Sequence, residues 1–196
     1  MDHYVDINLR PDPEFSEATL MGALYSKLHR GLVAQQSSVI GVSFPLLQER
    51  AEFPLGLQMR LHGNKQALSD LLNSNWLAGM ADHLLVGVPQ PVPAKTQHRV
   101  VMRVQVKSSP ERLRRRLMRR HNLSEKEAME RIPDASVKSS SLPYVHLRST
   151  STGQNFRLFI QHCPVQEGSV NGHFNTYGLS QSATVPWFSP FSRTQG

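Results

Sequence analysis

The stretch His3-Tyr4-Val5-Asp6-Ile7-Asn8-Leu9 alternates apolar and polar residues, and its reading decides the fold. Val5, Ile7 and Leu9 share one face while Tyr4, Asp6 and Asn8 share the other, which is the period of a half-buried strand. Pro11-Asp12-Pro13 ends it. Ser16 is placed to cap a helix running to about Ala34. Its Leu20, Leu24, Leu28 and Leu32 form a drifting i, i+4 stripe that needs a sheet to face. Outward from there, 39–44 reads as a strand stopped by Pro45, 45–56 as an irregular connection, and 57–62 as another alternating strand. Asn64 caps a second helix with Leu68, Leu71 and Leu72 inside; a short helical piece over 76–83 and a strand over 84–88 follow. Strand, helix, strand, strand, helix, strand is the ferredoxin-like, or split βαβ, order, with both helices on one sheet face. That fold hosts many unrelated activities. The aromatic pattern that stacks RNA bases on such sheets is not evident, since Tyr4 is the only aromatic on the first strand.

Pro89-Gln90-Pro91-Val92-Pro93 reads as a stiff, extended linker. The expected organisation is an α+β chain with a ferredoxin-like domain over 1–93. A smaller α+β domain follows over 94–188, with a helix over 110–121, and a mobile tail over 189–196. In the second part, strands are expected at 98–106, 144–147, 156–162 and 174–179, with helices after the first and a polar loop at Ser139-Ser140-Ser141. No internal repeat of 20–50 residues is visible.

The 196 residues carry a formal charge of +7, with 39% apolar and 19% charged residues. No apolar run reaches the ~20 residues of a membrane span. Met1-Asp2-His3-Tyr4 lacks the layout of a secretory signal, and a cytoplasmic protein is expected. The single Cys163 excludes an internal disulfide framework and any multi-cysteine zinc site, and reads as a core residue rather than a nucleophile. Charge is concentrated. Residues 1–96 carry 7 Lys/Arg against 9 Asp/Glu, 97–131 carry 11 against 4, and 132–196 carry 4 against 2. The middle segment alone equals the net charge of the whole chain, which points to a polyanionic partner, nucleic acid first.

Within that segment Ser109-Pro110-Glu111 starts a helix. At about 100° per residue, Arg112, Arg115, Arg116 and Arg119 fall on one third of its circumference, and Leu113 and Leu117 lie opposite as anchors. Arg120 lies only at the edge of that face. Asn122 or Leu123 breaks the helix, and Ser124 with Glu127 makes a capping box for the next, which ends before Pro133. Solvated basic faces are usually laced with acids, but Glu111 is the only acid in 111–124. Unpaired arginines repel one another when nothing is bound, and their forked donors suit phosphate. The helix alone does not distinguish DNA from RNA. A duplex-DNA regulator is therefore one reading, and a helix entering the open end of an RNA hairpin is another.

These residues also carry a family resemblance. The block 103–121 (RVQVKSSPERLRRRLMRRH) closely resembles the CRISPR RNA-processing endoribonucleases of subtype I-F. So do 147–160 (LRSTSTGQNFRLFI), Tyr177-Gly178-Leu179-Ser180, Met1-Asp2-His3-Tyr4 and Gly41-Val42-Ser43-Phe44-Pro45. The resemblance covers about 1–188 and is weakest in 45–56 and 164–172. It implies an enzyme that cuts repeat RNA at the 3′ base of a hairpin without metal or other cofactor. It further implies that the enzyme keeps hold of the processed guide RNA within a surveillance complex of other subunits.

Metal-free RNA cleavage makes the substrate's 2′-OH attack the adjacent phosphate, giving a 2′,3′-cyclic phosphate. It needs a group to take that proton, one to align the hydroxyl, and stabilisation of the phosphorane. Histidine suits the proton step, but the chain has nine and spacing does not choose among them. The resemblance selects His29 for proton transfer, Ser149 to position the 2′-OH with Ser151 as a weaker candidate, and Tyr177 to orient the histidine. It also implies that Arg103 and Gln105 read a base edge near the cut. Phe156 stacks on the terminal base pair of the stem, and Arg115, Arg116, Arg119, Arg120 and His121 track phosphates. Unaided, Ser149 reads as a turn serine, Tyr177 and Phe156 as core aromatics, and Arg103 and Gln105 as a solvated strand face. No Gly-x-Ser-x-Gly elbow occurs, and the 15 acids are too scattered for two-metal chemistry. A non-catalytic subunit that only holds the guide hairpin is the other reading; it shares the basic helix and differs at His29.

Overall fold

The computed structural model describes residues 1–48, 51–105, 110–132, 142–149 and 152–189. It is a mixed α+β molecule with two antiparallel sheets. Strand β1 (His3–Leu9) is followed by α1 (Glu17–Ala34), β2 (Gly41–Ser43), β3 (Gln58–Gly63), α2 (Lys65–Asn73), a 3-10 turn (Ala81–His83) and β4 (Leu84–Val86). The sheet order is β2-β3-β1-β4, the order expected of a split βαβ unit. Both helix caps form as anticipated: Ser16 accepts from the amide of Thr19 and Asn64 from that of Ala67. The α1 stripe is buried from Leu20 to Leu32 and includes Met21 and Tyr25.

Three expectations for this half are corrected. The strands at 39–44 and 84–88 are shorter, and the helical piece at 76–83 is a run of turns closing in the 3-10 turn. The segment at 89–93 is extended, as expected, but it is built into the first sheet and is more than a linker. Its Gln90–Pro91 forms β5 beside β1, and the amide of Val92 donates to Asp2 O. An extended proline-rich chain keeps the free amides between its prolines, and the open edge of β1 accepts them.

The second sheet comprises β6 (Gln97–Val104), β7 (Tyr144–Arg148), β8 (Asn155–His162) and β9 (Thr184–Trp187), in the order β7-β8-β6-β9. This repeats the strand order of the first sheet, a symmetry that no sequence repeat announces. Between β6 and β7 stand α3 (Pro110–His121) and α4 (Glu125–Arg131). The capping box of Ser124 and Glu127 forms, and Asn122 leaves the helix at φ 49°. The expected strand at 174–179 is instead a loop, while β9 falls where only an apolar segment preceded the tail. Pro186 demotes that segment in sequence terms, but β9 is an edge strand, where a missing amide costs nothing. Cys163 is half-buried rather than in the core. Ser109, the loop at 139–141, Ser151 and the tail from 190 onward lie outside the described residues.

One core joins the two sheets. Val101, Val145, Leu147, Leu158 and Ile160 of the second pack with Leu24, Leu28 and Val42 of the first. Helix α1 lies against β7 so closely that a Cβ on Gly22 would come within 2.8 Å of His146 O.

Candidate active site

His29 sits in the last turns of α1, half-buried. Its Nδ1 is 2.9 Å from the carbonyl oxygen of Thr176. A carbonyl can only accept, so Nδ1 carries the hydrogen, and the tautomer this selects has its lone pair on Nε2. The imidazole lies flat on the Tyr177 ring, with centroids 4.1 Å apart and planes 7° from parallel.

The loop that supplies both partners is tied down on three sides. Phe174 N donates to Ser38 O, Val42 N to Gly178 O, and Ser180 N to Val101 O. Asn175 Oδ1 accepts from the amides of Tyr177 and Leu179. Gly178 has φ +68°, and a Cβ there would meet Val42 Cγ2 at 2.4 Å, so only glycine fits. Beneath the loop the fully buried Tyr25 donates its hydroxyl to Tyr177 O at 2.8 Å, and burial pushes that phenol's pKa far up. Tyr25 is therefore a permanent donor that fixes the loop.

The opposite wall is the turn between β7 and β8. Ser149 N donates to Gln154 O and Gly153 N to Ser149 O, while Ser149 Oγ accepts from Thr152 N. Gly153 takes φ +67° to close it. Arg148 Nε donates to Gly153 O. Between the walls is a cleft of about 150 Å³. His29, Ser149, Tyr177 and Phe156 all line it, together with Arg30 and Arg148. Four of the residues singled out from sequence, drawn from three distant segments, thus share one hollow. It offers a free imidazole nitrogen, a hydroxyl, an aromatic platform and two cations.

The other candidates are placed less closely. The Arg103 guanidinium lies 5.8 Å from the Tyr177 ring centroid, which connects it to the cleft through that ring. Gln105 is exposed one residue beyond the end of β6, so the expectation that both residues stand on one strand face is corrected. On α3, Arg115, Arg116, Arg119, Arg120 and His121 are exposed, and none is paired with an acid among the described residues. Arg120 is as open as the others. Arg112 lies in the first turn, its side chain outside the described part. Arg114 is the exception: it is buried, and its Nε donates to Ile132 O, tying α3 to the end of α4. Leu113 and Leu117 are half-buried beside it. Among the described residues no group of three or more His, Cys, Asp or Glu is gathered to hold a metal ion.

Sequence reading missed Thr176, because its contribution is a backbone carbonyl. It also missed Tyr25 and Asn175. The spacing Asn175-Thr176-Tyr177-Gly178 is a turn signal that was available against the strand reading.

Comparison with known proteins places the chain that carries this basic helix and cleft in a CRISPR-associated class. Residues 4–188 match the family model described as "CRISPR-associated protein (Cas_Csy4)". The chain belongs to the Cas_Csy4 family. It is 56% identical over 188 residues to the CRISPR-associated endonuclease Cas6/Csy4 of Pseudomonas aeruginosa (strain UCBPP-PA14), covering 96% of this chain and 100% of the relative. It is 45% identical, with the same coverage, to the CRISPR-associated endonuclease Cas6/Csy4 of Escherichia coli (strain UTI89 / UPEC). A solved RAMP protein described as binding different RNA substrates aligns over 94% of this chain and 99% of its own, at TM-score 0.35 and 10% identity, too weak a likeness to carry the fold.

Proposed function

We propose that this protein is a metal-independent endoribonuclease that cuts CRISPR repeat RNA at the 3′ base of a hairpin. The observation that carries the reading is the state of His29: Thr176 O holds the hydrogen on Nδ1, leaving Nε2 as a base in a cleft that also contains Ser149. Nε2 takes the proton of the 2′-OH, O2′ bonds to phosphorus, and the bond to O5′ breaks; O5′ takes a proton from water, and His29 returns its own to solvent. The products are a 2′,3′-cyclic phosphate and a 5′-hydroxyl. Ser149 positions the 2′-OH, with Ser151 beside it in the chain as a lesser contributor. Tyr177 holds the imidazole plane, and Arg30 and Arg148 offset the charge of the phosphorane.

Phe156 carries the terminal base pair of the stem, Arg103 and Gln105 read a base edge, and the exposed arginines of α3 with His121 follow the phosphates. The two sheets act as two domains meeting near residue 93. After cleavage the hairpin stays bound, and the protein serves with the other subunits of the subtype I-F surveillance complex in the cytoplasm. Support comes from the family, from two relatives named as endonucleases, and from the shared cleft.

The test is incubation with repeat RNA in EDTA. Cleavage is expected, and it should vanish when the nucleotide before the scissile phosphate is 2′-deoxy. Tight hairpin binding without any cleavage would instead make the protein a holding subunit only. Equal affinity for duplex DNA would point to a DNA regulator.

A further inference from the structure

A second hollow adjoins the cleft. It holds about 390 Å³ and runs between α1 and the edge strand β7. Ala18, Thr19 and Ala23 form one wall, while His146, Arg148 and Asn155 form the other. Ser26, Leu147 and Arg148 line both hollows, so the two adjoin along α1. The arm beyond Ser26 spans eight residues of helix, about 12 Å. That is the length of three or four stacked nucleotides at about 3.4 Å each. The arm is open, it has a cation at the junction and hydroxyl, amide and imidazole groups along it, and no acid lines it.

We propose that this arm holds the single strand of RNA on the 3′ side of the scissile phosphate, gripping its sugar-phosphate backbone without reading its bases. The inference rests on the endoribonuclease reading above. In that reading the stem is stacked on Phe156 and the reactive phosphate lies between His29 and Ser149. The strand that continues past the cut then needs a path away from the stem, and the arm provides one. Arg148 stands where the first phosphate beyond the cut passes from one hollow to the next. The small side chains of Ala18, Thr19 and Ala23 let a backbone approach α1, and none offers a fork for a base edge. The arm has no aromatic platform like Phe156, so the leaving strand is held lightly and departs after the cut while the stem stays.

The experiment uses hairpins made uncleavable by a 2′-deoxy nucleotide before the scissile phosphate. One ends a single nucleotide after that phosphate, one carries four nucleotides on its 3′ side, and one carries four on its 5′ side. The 3′ extension is expected to tighten binding roughly fivefold to tenfold, the gain of one or two phosphate hydrogen bonds. Ala23→Trp fills the arm from an exposed helix position and should erase that gain while leaving the short hairpin's affinity unchanged. Ala18→Glu, which sets a carboxylate in the arm, should do the same. No gain from the 3′ extension, or a gain that Ala23→Trp leaves intact, overturns the assignment, as does a gain confined to the 5′ extension. Failure to bind the short hairpin at all would instead overturn the endoribonuclease reading.

Discussion

The two sheets share one strand order but spend their connections differently. In the first half both crossovers are helices, and both pack on their own sheet. In the second half the first crossover is α3–α4, which pack chiefly on each other, and the second is the long loop 163–183 that carries Tyr177. The difference follows from α1. It covers its own sheet on one side and β7 on the other, so the face of β7 that joins the common core is already filled. With that face occupied, α3 has no core to serve beyond Arg114 and two leucines, and its remaining surface is free to be basic. The loop 163–183 likewise need not form a helix, and instead brings a carbonyl and a ring to His29. A shared topology thus yields a rigid half that holds the base and an open half that supplies the contacts.

The largest effect expected from breaking this division is at its meeting point. His29→Ala should slow cleavage by about 10²- to 10⁴-fold, the usual contribution of a general base, with hairpin affinity nearly intact. Single-turnover rates and binding isotherms measure the two separately, and a large loss of affinity would contradict the role. Next in size is the core that α1 provides. Leu24 is fully buried, and Leu24→Ala should cost about 2–5 kcal/mol of unfolding free energy. Because both sheets pack on α1, the denaturant transition should shift as one step. Separate transitions for the two halves would show that they fold apart.

Surface changes on the open half should behave oppositely. Arg115→Ala with Arg119→Ala removes exposed side chains and should leave thermal stability within about 0.5 kcal/mol. Hairpin affinity should fall, and the slope of log affinity against log salt should flatten by roughly one unit per lost phosphate contact. An unchanged slope would remove α3 from the RNA interface.

The same division explains what was legible in the chain. The first half obeys local rules: alternation in His3–Leu9, caps at Ser16 and Asn64, leucines at helical spacing. Caps and apolar spacing there act within a few residues of chain, so pattern and structure largely agree. The second half departs where tertiary partners override pattern. Residues 174–179 look like a strand but are pinned as a loop by Ser38, Val42 and Val101, and β9 forms despite Pro186 because it lies at an edge. Of the cleft, the side chains of His29, Ser149, Tyr177 and Phe156 were reached through family resemblance rather than spacing. The carbonyl of Thr176 was out of reach, since a backbone atom leaves no residue type to read. The buried Arg60 was equally silent. It lies opposite Asp6 in the β1–β3 register, forks onto that carboxylate, and donates to Phe188 O between the rings of Tyr4 and Phe188. This covers the sheet face where RNA-stacking aromatics were absent.

A further effect is a pH dependence at the seam between the halves. His62 of β3 is fully buried, with Nε2 2.8 Å from Ser43 Oγ. His162 of β8 lies between Phe44, which it stacks on, and Trp187, which it meets edge to face, and neither of its ring nitrogens has a hydrogen-bond partner among the described residues. Burial pushes the pKa of His162 down to about 3, with Arg99 adding to the shift, and drives that of His62 well below its usual range, with Arg60 adding there. Both groups stay neutral in the folded protein at pH values where the unfolded chain, with histidine near 6.5, takes up protons. The unfolded state therefore binds more protons as pH falls below about 6.5, and stability declines with it by up to about 1.4 kcal/mol per pH unit for each histidine. Above that pH both states are neutral and the dependence disappears. His162→Phe keeps a ring between Phe44 and Trp187 and removes one of the two protons. Between pH 6 and 4.5 its unfolding free energy should fall about half as steeply as that of the parent, with the two converging toward a constant difference above pH 7. Parallel curves through the acid range would mean that His162 is protonated in the folded state and that the seam is wetter than its packing indicates.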